Sequence, residues 1–133
     1  MGKRVADIDG RLRGRTYEEH YGLRPYRYSD LVAEPWVLSP EELGTLLAAA
    51  EGAGRLSGEE AKDLGDVDVV VRGRSWTREG EAYLVVEISA TVDREDVERA
   101  VRRAGILRKV APEAEGVAVV GGAGDPPGVA PMA

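Results

Sequence analysis

Apolar and polar positions alternate with different periods along the chain. In residues 3–21, Val5, Ile8 and Leu12 recur at spacings of three and four among charged residues, with Gly10 and Gly14 as interruptions. This is the period of one helix face and predicts an N-terminal helix over residues 3–22. Residues 24–32 are short and aromatic, fitting an edge strand or an irregular crossing. Ser39-Pro40-Glu41-Glu42 is a helix start: a capping serine, a proline in the first turn and acids at the positive helix end. Ser57-Gly58-Glu59-Glu60 repeats the logic, so residues 40–64 hold two helices, the first stopped by Gly52 or Gly54. The pattern then becomes β-branched: Val67, Val69, Val70 and Val71 form one strand and residues 81–90 a longer one, a hairpin over 66–91. Residues 93–109 return to helical period, with Val97, Ala100, Val101, Ala104 and Leu107 as the apolar stripe. Residues 116–121 read as a buried strand. Strand, helix and strand imply a crossover with the two strands parallel.

These elements predict an α/β (α+β) class, with a small mixed central sheet flanked by helices. One domain is expected over 1–123, with 124–133 as a flexible tail. The length of 133 residues fits one domain, and 43% hydrophobic with 32% charged residues fits a soluble globule. No apolar run has the length of a membrane span, and the start leads into no signal core, so the expectation is a cytoplasmic protein with no membrane partner.

Composition then narrows the chemistry. There is no Cys, a single histidine (His20), and neither Asn nor Gln. Thiol nucleophiles, cysteine-held zinc, iron–sulfur clusters and a two-histidine zinc site are excluded. Basic residues are mostly Arg, a composition that fits a thermophilic or GC-rich source. Net charge is −6, which argues against a general nucleic-acid coat, yet residues 1–28 hold seven basic against four acidic residues. Any site must rely on carboxylates, arginines, hydroxyls and a hard metal.

Two acids stand inside the apolar hairpin strands. Side chains alternate, so Asp66, Asp68 and Val70 share a face, as do Val85, Glu87 and Ser89. A hairpin folded symmetrically about Ser75 and Arg78 places Asp68 opposite Val85 and Asp66 opposite Glu87. Partly buried carboxylates that close repel each other unless a cation joins them. A hard divalent ion with oxygen ligands, Mg²⁺ or Mn²⁺, meets that need. The plainer alternative is that Asp66 and Asp68 open a strand as turn formers while Glu87 points to water.

Gly14-Arg15-Thr16-Tyr17-Glu18, Asp68-Val69-Val70-Val71-Arg72-Gly73, Tyr83-Leu84-Val85-Val86-Glu87-Ile88-Ser89 and Asp96-Val97-Glu98-Arg99-Ala100-Val101-Arg102-Arg103-Ala104 occur in this order. The chain resembles, over roughly residues 10–121, an uncharacterised bacterial group within the PD-(D/E)XK nuclease superfamily, the restriction-endonuclease-like fold. The resemblance implies that Asp68 and Glu87 hold Mg²⁺ (or Mn²⁺) with Glu18 assisting, Glu19 being the fallback for Glu18. It implies a metal-activated water attacking a phosphodiester of DNA. The superfamily places a lysine two residues after the glutamate, and this chain has Ser89 there. A replacement cation is expected from the following helix, from Arg99, Arg102 or Arg103, with Arg103 as the catalytic candidate. Otherwise the site is inactive or repurposed.

Tyr21, Tyr26 and Tyr28, interleaved with Arg24 and Arg27, fit base stacking or, in a Phe-free protein, core packing. Trp76, between Arg74 and Arg78, fits a contact with DNA or a second subunit. Three functions remain: a Mg²⁺-dependent endonuclease acting as a homodimer, a catalytically degenerate nuclease-fold protein that binds DNA or protein, and a small oligomerisation domain with structural acids.

Overall fold

The computed structural model describes residues 24–122 and 128–129. The expected helix over 3–22, with Glu18, Glu19, His20 and Tyr21, lies outside the described residues. A 3-10 turn at Pro25–Tyr28 leads into β1 (Val32–Val37), followed by α1 (Pro40–Gly52), α2 (Gly58–Gly65), β2 (Val69–Ser75), β3 (Glu81–Ser89), α3 (Arg94–Val110), β4 (Glu115–Gly122) and β5 (Gly128–Val129). The strands form one mixed sheet in the order β1-β2-β3-β4-β5, antiparallel except for the parallel β3–β4 pair. The chain is therefore a mixed α/β (α+β) protein. Gly128–Val129, expected within a tail, pairs with β4 at Val119 and Val120.

The helices begin where their caps dictate. Ser39, Ser57 and Asp93 each accept a hydrogen bond from the third helical N–H, and the Glu42, Glu60 and Asp96 carboxylates accept one in turn from the cap's own N–H. β1 lies in a segment whose Glu34-Pro35 does not read as a strand. A proline is tolerated there because β1 is an edge strand. Between Ala33 and Trp36 the pairing with β2 slips, with Glu34 at φ 53, a left-handed conformation unusual for a side-chain-bearing residue. The facing Gly73 makes the close approach possible: a Cβ there would stand 2.7 Å from the Ala33 carbonyl oxygen and 2.8 Å from the Val32 side chain.

Both faces of the sheet are buried, which explains the near-continuous apolar strands. One face packs Val70, Tyr83, Val85 and Ala118 under Leu47 of α1, Leu64 of α2, and Ala100, Ala104 and Leu107 of α3. The other holds Val69, Val71, Leu84, Val86 and Val119 with Tyr28 and Val32. Each fully buried leucine contributes about 1.5–3 kcal/mol. Tyr28 takes the core role, and desolvation holds its hydroxyl at a pKa of about 12, while Tyr26 is 66% exposed. Among the described residues, no helix is long and apolar enough to cross a membrane.

Candidate functional site

The hairpin loop sets which acids meet. Ser75 N–H reaches the Gly80 carbonyl (3.0 Å), and the Ser75 hydroxyl oxygen accepts from Thr77 and Arg78 N–H (3.1 and 3.2 Å). Gly80 closes the turn at φ 112, which favours glycine. The register that follows pairs Val69 with Val86 and Val70 with Val85. Continued one step, it sets Asp68 opposite Glu87. This corrects the expected register by two positions: Val85 faces Val70, not Asp68, and Asp66 has no place opposite Glu87. The loop centre lies nearer Gly80 than a symmetric fold about Ser75 and Arg78 assumes. A shift of two preserves the face, so Asp68 and Glu87 lie on the side covered by helices.

There they border a cavity of about 400 Å³, whose lining includes Asp66, Ser89, Asp96, Arg99 and Arg103. Glu87 is 4% exposed, and each of its oxygens accepts from an arginine of α3. Arg99 Nε donates to Oε1 (3.2 Å) and Arg103 Nη1 to Oε2 (2.9 Å). The spacing 99–103 places both on one helix face, one turn apart. Arg103 is itself buried, donates through Nε to Asp63 Oδ1 (3.0 Å) and reaches the Asp66 carbonyl (3.3 Å). Arg102 turns away from Glu87 to chelate Asp63, at 2.7 and 3.0 Å. Arg99 continues to Asp96 (2.6 Å), the residue that completes the α3 capping box with Asp93. One alternating chain of charge thus joins α2, β3 and α3.

The titrations follow from this arrangement. Burial pushes the Glu87 carboxyl above its ordinary value, and Asp68 adds to the push. Arg103 and Arg99 pull it back without cancelling the desolvation. Asp63 is held down at about 2, chiefly by its hydrogen bonds from Arg102. Asp68 Oδ2 accepts the Ile88 backbone N–H at 2.7 Å, anchoring the strand end beside Glu87. The Ser89 hydroxyl borders the cavity and donates to the Thr91 carbonyl (2.9 Å), holding its own loop.

Of the expected site residues, Asp68, Glu87, Ser89 and Arg103 converge, and Glu18 lies outside the described residues. Of the helix arginines named as candidates for a replacement cation, Arg99 and Arg103 reach Glu87 and Arg102 does not. Asp63 and Asp96 escaped the sequence reading. Asp96 carried a signal, the Asp93-x-x-Asp96 capping pattern, whereas Asp63 sits in an ordinary charged helix. The donor set suits guanidinium better than a divalent cation. Glu87 is engaged at both oxygens, and among the described residues no three Asp, Glu, His or Cys side chains form a group that could hold a metal ion. Compared with protein-family models, with curated proteins and with solved structures, the chain matches none.

Proposed function

We propose that this chain is a restriction-endonuclease-like protein that acts by binding DNA or a protein partner, with arginines in place of the catalytic cation. The observation that carries the reading is the engagement of each Glu87 oxygen by a separate α3 guanidinium. Two such donors neutralise a carboxylate that a hydrolytic site would need for its metal. The layout supports the relation to nucleases: an acid at the start of β2, a hairpin, Glu87 on β3, then a helix leading to a parallel strand. Ser89, where the superfamily has lysine, supports the loss of hydrolysis. In this reading the protein works in the cytoplasm as a homodimer, since a single 133-residue protomer offers little surface to a duplex.

A second reading is a Mg²⁺- or Mn²⁺-dependent endonuclease. It is favoured by the placement of Asp68 opposite Glu87 on one cavity. Plasmid nicking and calorimetry with Mg²⁺ and Mn²⁺ separate the two. The binding reading expects neither metal-dependent nicking nor heat of metal binding. Nicking that disappears in Asp68→Ala or Glu87→Ala establishes the enzyme instead.

A further inference from the structure

A second recess lies at the other end of the same sheet face, about 13 Å along β3 from Glu87 at the usual strand rise. Register aligns Trp36 of β1, Arg72 of β2 and Tyr83 of β3 in one row across the sheet. Beside this row, between the sheet and α1, is a groove of about 470 Å³ with Leu38, Leu46, Ala49 and Tyr83 among its lining. Ala49 and Arg72 are exposed and Tyr83 is buried, so the groove is an open trough with an aromatic floor.

Among the described residues its one cation is Arg72, whose side chain makes no hydrogen bond and no ion pair there, although Glu42 lies close enough to feel its charge. The reason is in the α1 cap. Glu42 Oε1 accepts the Ser39 N–H at 2.8 Å, and both Glu42 oxygens face the Trp36 indole N–H at 3.3 Å. The Glu42 carboxylate is thereby committed to starting a helix and holding an indole. By contrast, Arg74, two residues along β2, is matched by Glu34 at 2.8 Å. Trp36, 54% exposed and opposite Arg72, flanks the unmatched guanidinium.

We propose that this trough binds the C-terminal end of an extended apolar peptide, its terminal carboxylate on Arg72 and its last apolar side chain over Tyr83 between Leu38 and Leu46. The charge pattern selects this partner. One free guanidinium suits one carboxylate, and its planar fork suits two oxygens. Glu41 and Glu42 at the rim disfavour a polyanion such as nucleic acid. An open trough leaves most of a small ligand in water, whereas an extended chain can run out of it. Tryptophan and arginine are also the residues that most often dominate such contacts. The site shares no residue with the Asp68–Glu87 cavity and stands apart from the reading of that cavity.

The test is fluorescence anisotropy of the whole chain with an N-terminally labelled Gly-Ser-Ala-Leu-Leu peptide, carrying either a free carboxylate or a C-terminal amide. We expect the acid to bind at least tenfold tighter than the amide. Arg72→Ala should remove that difference, and Ala49→Glu, at an exposed position, should weaken the acid at least tenfold with thermal melting unchanged. Arg78→Ala, at another described arginine whose side chain makes no hydrogen bond or ion pair, should leave binding within twofold. Equal affinity for acid and amide, retention of acid binding in Arg72→Ala, or an equal loss in Arg78→Ala overturns the proposal. So does displacement of the acid by a single-stranded oligonucleotide at equimolar concentration.

Discussion

Glu87 shows how one residue can look functional for one reason and be held for another. A glutamate in a valine-rich strand is legible in the sequence as an acid out of place. That two arginines neutralise it is not legible, because Arg99 and Arg103 lie 12 and 16 residues away and meet it only when α3 packs on β3. Truncating one member of a buried pair leaves its partner undercompensated: without Glu87 the buried Arg103 keeps only Asp63, which it shares with Arg102. Glu87→Ala is therefore expected to cost about 3–5 kcal/mol in urea denaturation, and the apolar double change Glu87→Leu with Arg103→Met to cost less than the single one. Equal or greater loss in the double variant would show that the pair is net stabilising beyond its mutual compensation. Asp68 acts on Glu87 by like charge. Asp68→Asn keeps an oxygen for the Ile88 N–H and removes that push, so the Glu87 carboxyl should titrate lower in carbon-detected NMR. An unmoved Glu87 titration would mean that Asp68 does not contribute to the push.

At the scale of elements, caps were the most readable signals. The patterns beginning at Ser39, Ser57 and Asp93 each marked a real helix start, since a cap uses only neighbours along the chain. Ser57→Ala should lower stability by about 1 kcal/mol. β1 was the element hardest to see, because Glu34-Pro35 looks like a break and is one: the strand bulges there and survives only at the sheet edge. Its seat depends on Gly73 having no side chain. A methyl group at Gly73 meets backbone and Cβ atoms, which cannot swing aside as a long side chain does. Gly73→Ala is thus expected to cost about 1–3 kcal/mol. Faster amide exchange at Leu38, whose N–H bonds Val70 across this ribbon, should accompany the loss. Unchanged exchange at Leu38 would refute this account of the edge.

For the whole molecule, the charge chain fixes how stability responds to acid. Asp63 titrates lower in the folded chain, about 2, than in the unfolded one. Its contribution is therefore present above the ordinary aspartate range and is lost as pH falls from about 4 toward 2. Glu87 has the opposite sign: its raised value favours the folded state at low pH, an advantage lost as pH rises through its folded pKa. Asp63→Asn should flatten the acid limb of a stability–pH curve, and a limb as steep as in the parent would place the acid sensitivity elsewhere. What the sequence determined by itself was the order of elements from α1 to β4, the helix starts, the parallel β3–β4 pair and the face on which Asp68 and Glu87 lie. Period, cap and crossover are properties of neighbouring residues and of chain connectivity. Only the tertiary structure decided the hairpin register, the bulged edge, which arginine meets which acid, and the unmatched Arg72. These depend on how Gly80 closes one turn and how α1, α2 and α3 settle on the sheet, bringing together groups 40 and more residues apart whose pairing leaves no local pattern.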